Sequence, residues 1–498
     1  MYEFHQNMEI TYVNSPYVEK NPFLSVQTHK AALPAYDSAR SLVPEIVWDG
    51  HEDAVACYNK AWQIAFSNLN NPTDGSGFVS PFIDTAFNGN LFMWDSSFIL
   101  MFAKYASRAF DFQQTLDNFY SHQHKDGFIS REIREKDGAE VYARLDPSST
   151  GPAILSWCEY EYYLYSGDKS RLKDVYYPLL AYHLWMKKQR TWRDGTYFLS
   201  GLGCGMDNSP RQEPGCNPRY EHGHMVWIDA CFQALIDCDM LIKIAAIAGI
   251  DEGVSELQTE KETLGAYIND RLWDEKTGFY YDMYRDNRLS GVKTVASFWS
   301  LLSGIVPESR IERLVAHLEN ENEFKRPHRV PSLSYDHPAY HPDGDYWRGS
   351  VWAPTTYMVL RGLDRNGYHK QAYDIACNTV ENVVKVFAET GTLWENYAPE
   401  KAARGNCAKS DFVGWTGLVP ISMLIEYVFG IRCNALDKTV TWDIRMDGEY
   451  GVQNLSFADV TASFLHKADG TVEIKTDKTI SVKLIKNGKT EIRTCTPE

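Results

Sequence analysis

At 498 residues the chain is too long for one small domain, and it suits one large domain with an accessory module. Its net charge of −16 repels phosphate backbones and anionic lipid, which argues against nucleic-acid and membrane partners and leaves a neutral polyhydroxyl ligand easier to accept. No apolar run approaches the ~20 residues of a membrane span, and the opening MYEFHQNMEITYVN has neither the basic nor the apolar region of a signal peptide.

These features predict a cytoplasmic protein, or a periplasmic one if a signal has been trimmed. The ten cysteines form no CxxC pair and no zinc spacing, so free thiols, no cofactor and no metal are expected. The 14 Trp and 30 Tyr supply flat faces that can stack on sugar rings, although a large core also consumes such residues. The sequence sets no oligomeric state.

Residues 1–49, mixed and rich in Tyr, Pro and Ser, are expected to wrap around the main domain. Apolar residues at spacings of three and four then predict helices over 52–69, 96–120, 152–165, 171–190, 224–248, 253–272, 293–304, 308–319, 350–362, 368–388 and 415–429. A weak repeat punctuates them: a polar residue, a glycine, then an aromatic. It reads KDGF at 125–128, RDGTYF at 193–198, KTGFYY at 276–281, PDGDYW at 342–347 and ETGTLW at 389–394, with NGNLFMW at 88–94 as a looser sixth. The glycine supplies the left-handed residue that ends a helix or makes a turn. Irregular gaps exclude a solenoid of identical units and fit helix pairs with decorated loops. Six pairs would close an (α/α)6 barrel, an all-α main domain over 50–433. From 434 to 498, TVTWDIRM, VTASFLHK, TVEIKT and ISVKLIK alternate like strands, and KADGT and KNGKT read as hairpin turns, so a small antiparallel β module is expected there.

Four loops concentrate polar and aromatic residues. In FMWDSSF (92–98), Trp94 offers a stacking face and Asp95 an acceptor for two sugar hydroxyls; Asp95 also suits a helix N-cap. In GLGCGMDNSPR (201–211), glycines bracket Asp207, whose pKa would rise toward that of a general acid if buried; an Asx-turn before Pro210 is the plainer reading. In HPDGDYWRGSVWAP (341–354), Tyr346, Trp347 and Trp352 with the donor fork of Arg348 would wall a polyhydroxyl ligand, or Trp352 packs the junction. In GTLWENYAPE (391–400), Glu395 stands among Trp394, Asn396 and Tyr397, as a water-activating base or as an exposed loop residue.

Five stretches, WDSSF at 94–98, GMDNSPR at 205–211, WDEKTGFYYD at 273–282, YWRGSVW at 346–352 and LWENYAP at 393–399, together resemble the clan of six-hairpin glycosidases. That clan includes glycoside hydrolase family 63, the α-glucosidases and the mannosylglycerate and glucosylglycerate hydrolases. The resemblance implies an inverting, exo-acting hydrolase of an oligosaccharide or small α-glycoside, α-glucoside ahead of α-mannoside. It implies Asp207 as general acid and Glu395 as general base. Trp94, Asp95, Trp347 and Arg348 would hold the terminal sugar, with Asn208, Tyr346, Trp352, Trp394 and Tyr397 beside them. Two departures stand out: DPSSTGPAI at 146–154 replaces a Gln-Pro-Pro loop, and YWRGSVWAP replaces the trehalase signature, which makes trehalose a poor substrate guess. The rival readings are a sugar epimerase or polysaccharide lyase built on His122, His124, His222, His224, His337 and His341, or a non-catalytic sugar-binding protein.

Overall fold

The helix Met93–Ala103 is buried on every side, as a helix apolar all round must be. In the computed structural model, which describes residues 13–497, it stands in a ring of contacts. It packs on Leu155–Ser166, and that helix packs on Ile228–Ala248. The turns of 295–303 come next, followed by Ala353–Arg365 and then the short segment 416–418, which returns to Met93–Ala103. Outside this ring, Lys169–Gln189 and Val254–Arg271 pack on Ile228–Ala248. His369–Thr390 packs on Ala353–Arg365 and Glu52–Ser67. No helix among the described residues is long and apolar enough to cross a membrane.

Two expectations about local structure change. The helix expected over 96–120 ends at Ala103 and continues as 3-10 turns and a short helix, Asp117–Ser121. Tertiary packing overrides the periodicity there: Phe110 and Phe112 meet edge-on at 5.0 Å, and Phe112 packs edge-on against Phe66 at 5.8 Å. All six repeat glycines have positive φ, but only Gly391 ends a long helix. The others turn short loops, as Gly278 does between Trp273–Asp274 and Phe279–Tyr280.

The strands after 430 form two four-stranded sheets. One contains Tyr450–Phe457, Val460–His466 and Val472–Thr476, and its edge is Glu45–Trp48. The amino-terminal segment thus donates a strand; residues 1–12 of the stretch expected to wrap around the main domain lie outside the described residues. The other sheet is not antiparallel throughout, because Ile480–Lys486 runs parallel to Thr439–Ile444. Three strands of the first sheet intervene, so the chain re-enters the second sheet in the direction it left. The sheets meet the helices around Phe429, which receives the Trp442 indole N–H at 3.1 Å and the edge of Trp48.

Candidate active site

The segment 200–211 is folded by its own small residues. Ser200 caps the short helix Gly201–Cys204 through the Gly203 amide, and Gly205, at φ +77°, ends it. A Cβ at Gly205 would lie 3.1 Å from the Trp94 ring, so the glycine lets the indole rest on the backbone just before Asp207. The far end of the segment is fixed by Arg211. Its buried guanidinium grips Asp229 with two bonds of 2.7 Å and Asp282 with bonds of 2.9 and 2.6 Å. Planar fork geometry makes such pairing possible.

Asn208 ties this segment to the next. It donates to the Asp345 carbonyl at 3.0 Å and accepts the Trp347 amide at 2.8 Å. Between these bonds the backbone is strained, with φ of +34° at Asp345 and +64° at Tyr346. Left-handed geometry at a non-glycine residue costs on the order of 1–3 kcal/mol and persists only where surroundings enforce it. The turn carries the Tyr346 hydroxyl to within 3.0 Å of Glu395 Oε1.

Glu395 is held from several sides. Its carboxyl accepts the Tyr346 hydroxyl and, at 3.1 Å, the Lys409 amide, while its carbonyl accepts the Trp415 indole N–H at 2.7 Å. The Lys409 ammonium reaches the other way, to the carbonyls of Ala86 at 2.7 Å and Phe87 at 2.6 Å.

Trp94, Asp95, Asp207, Tyr346, Trp347 and Glu395 line one cavity of about 200 Å³. Five other candidates do not line it. Asn208 acts as the clamp just described. Trp352 is fully buried behind Trp347, with ring centroids 4.1 Å apart and planes parallel to 1°. The Trp394 indole donates to Thr390, and the Tyr397 hydroxyl accepts the Trp394 amide. Arg348 turns outward: its side chain is 42% exposed and faces Asp345 at 3.6 Å. The six histidines of the rival readings also stand outside the lining.

The sequence reading missed Arg131 and Glu132, which line the cavity with Tyr142, Asn88, Phe87 and Trp415. The Arg131 guanidinium bonds the Ser148 carbonyl at 2.7 Å, lies 3.1 Å from Glu132 and covers the Tyr142 ring. Its carbonyl accepts the Met93 amide at the start of the helix bearing Trp94 and Asp95, and Glu132 pairs with Phe92 across two short strands. The available signal is the polar run SRE at 130–132, shortly after KDGF, a stretch that composition marks only as punctuation.

Three carboxyls of the cavity are pushed up by burial. Asp95, in the first turn of its helix and not its N-cap, stands well above the ordinary range. Asp207 is raised by burial, against the opposing charges of Arg131 and Arg219. Glu395 is raised to about 6 by burial, partly offset by its bonds from Lys409 and Tyr346. Among the described residues, no other residue donates a hydrogen bond to the Asp207 carboxyl, so the Asx-turn is not formed. The site therefore pairs a desolvated carboxyl short of donors with one whose charged form is supported by two.

The model of the mannosylglycerate hydrolase MGH1-like glycoside hydrolase domain matches residues 89–416, about two-thirds of the chain. An uncharacterized protein of Borreliella burgdorferi is 27% identical over 72% of this chain and 76% of its own length. A probable mannosyl-oligosaccharide glucosidase of Schizosaccharomyces pombe is 24% identical over 51% of this chain, which spans only 35% of that longer protein. The solved family 63 mannosylglycerate hydrolase of Thermus thermophilus, in complex with glucose, shares the fold at a TM-score of 0.60 and 21% identity, covering 73% of this chain and 99% of that one. The chain belongs to the MGH1-like glycoside hydrolase family and is a glycoside hydrolase.

Proposed function

We propose, with that membership as the premise, that this chain is an inverting, exo-acting α-glycoside hydrolase with Asp207 as general acid and Glu395 as general base. The observation that carries the reading is the unequal supply of donors to two carboxyls in one cavity. A carboxyl to which no other residue donates keeps its proton for the leaving oxygen. A carboxyl with two donors stays charged and draws a proton from water. Inversion requires room for that water, which puts the two groups roughly 6.5–9.5 Å apart.

Asp95 would accept hydroxyls of the terminal sugar, and Trp347, backed by Trp352, would supply the flat wall. A cavity of about 200 Å³ falls below the ~300–1,000 Å³ of drug-sized pockets, which favours one terminal sugar over an internal stretch of chain. The closed sequence of helix contacts supports an (α/α)6 barrel over about 50–433, with a β module over 434–498. The name of the yeast relative favours an α-glucoside as substrate and that of the solved neighbour an α-mannoside; we put the glucoside first.

The test is a panel of α-linked gluco- and manno-glycosides with NMR detection of the first anomer released. Early β-anomer supports the reading. Early α-anomer overturns the inverting mechanism, and turnover of neither series overturns the substrate class.

A further inference from the structure

Away from the cavity, three helices bring together the side chains of His183, Cys238 and Glu260, each buried. Their nearest ligand atoms all lie within 4.8 Å of one another. His183 Nε2 is 3.2 Å from Glu260 Oε2 and 3.6 Å from Cys238 Sγ. A tetrahedral zinc ion with bonds of ~2.0–2.1 Å to nitrogen and oxygen and ~2.3 Å to sulfur sets its ligands about 3.3 Å (N to O) and about 3.6 Å (N to S) apart. The observed spacings match both figures.

The surroundings fit as well. A ligating imidazole usually gives its other nitrogen to a carboxylate, which fixes its tautomer. His183 Nδ1 bonds Asp237 Oδ2 at 2.7 Å, and the other Asp237 oxygen is held by the Ser156 hydroxyl. Glu260 is oriented in the same manner: the Tyr197 hydroxyl binds Oε1 at 2.5 Å, leaving Oε2 for the centre, where the Lys187 ammonium also reaches it at 2.9 Å. The mixture of thiolate, imidazole and carboxylate suits zinc among the common divalent ions.

We infer that His183, Cys238 and Glu260 form a structural site for one zinc-like ion that ties together the helices Lys169–Gln189, Ile228–Ala248 and Val254–Arg271. A water molecule completes the tetrahedron.

Charge balance makes the exchange feasible in a buried place. The Lys187 ammonium and the carboxylates of Asp237 and Glu260 already surround the centre. Metal binding sends the proton of the Cys238 thiol to solvent and forms the Zn–N, Zn–S and Zn–O bonds, so the thiolate and the Glu260 carboxylate offset the two positive charges of the ion, while Lys187 offsets Asp237. No redox step is involved. The sequence hides the site because Cys238 and Glu260 follow His183 by 55 and 77 residues, far from any finger-like spacing.

The full chain, expressed in medium containing zinc or cobalt and dialysed, is expected to hold about one ion per chain by elemental analysis. Its cobalt form should show a thiolate-to-cobalt charge-transfer band that Cys238→Ser abolishes and Cys57→Ser leaves intact. Reloading chelator-treated protein should release at least about one proton per ion, that of the thiol, read by calorimetry in buffers of different ionisation enthalpy. If Cys238→Ser fails to fold, Glu260→Gln gives the second reading: the band persists and metal affinity drops at least ~10-fold. Fewer than about 0.1 ions per chain after growth in metal, or a charge-transfer band indifferent to Cys238→Ser, would overturn the site.

Discussion

Asp229 and Asp282, the rear pair, are buried; of the front pair that lines the cavity, Glu395 is buried and Asp207 half-buried. The rear pair shares the full fork of Arg211. The front pair faces a cavity and receives two donors from other residues, both of them on Glu395. Burial pushes Asp282 up as it does Asp207, so burial does not tell an anchor from a proton donor. The number of partners does. A paired carboxyl loses its freedom to exchange protons and gains a structural role, whereas an under-supplied one keeps its proton available.

The largest expected effect of breaking this contrast is catalytic. Glu395→Gln should lower kcat about 10²–10⁴-fold on every substrate, while Asp207→Asn should do so on poor leaving groups and spare activated aryl glycosides. Equal losses on both substrate types from Asp207→Asn would undo the assignment of the acid. On the rear pair the cost should appear as stability. Arg211→Met strands two buried carboxylates and should cost about 3–5 kcal/mol in denaturant titration, whereas Asp207→Asn should cost none.

Asn208→Ala should fall between these cases. It frees the strained turn that presents Tyr346, and kcat/KM should drop about 10–100-fold with little change in melting temperature. A drop in stability with unchanged kcat/KM would mean that the clamp serves the fold alone.

A further effect is a matter of pH. Glu395 titrates near 6 in the folded chain, against about 4.3 when unfolded. A raised carboxyl contributes stability below the unfolded value and loses it as pH rises through the folded one. Relative to Glu395→Gln, the native chain should therefore weaken by about 2 kcal/mol between pH 4 and pH 7, and its kcat/KM should fall below about pH 6 as the base is protonated. A stability difference that stays flat across this range would contradict the shift. The smallest effect is expected at Arg348. Arg348→Ala should leave kcat/KM within about twofold, since an exposed pair is worth little.

Much of the site was legible because its residues sit in short stretches of unusual composition. Glycines around Asp207 and aromatics around Glu395 announced specified loops, and both residues do reach one cavity. Arg348 misled because direction is not written in composition. Once Asn208 fixes the Trp347 amide, Trp347 faces inward and its neighbour faces solvent. Arg131 and Glu132 escaped notice because their place depends on a strand pairing, Glu132 with Phe92, between segments 40 residues apart. The parallel strand pair and the broken helix after Ala103 have the same cause: long-range packing decided them, and local periodicity carries no record of it.

The strand Glu45–Trp48 carries a consequence for how the chain is made. Its partner, Tyr450–Phe457, lies some four hundred residues later. During synthesis from the amino terminus the early strand must wait, edge unpaired, until nearly the whole chain has emerged. The ring of helices has the same delay built in, because Met93–Ala103 receives the 416–418 segment as its last neighbour. Contacts of such sequence separation slow folding, and an unpaired strand edge invites aggregation meanwhile. A chain cut short near residue 434 would leave that edge permanently open, so truncation should show first as lost solubility on expression.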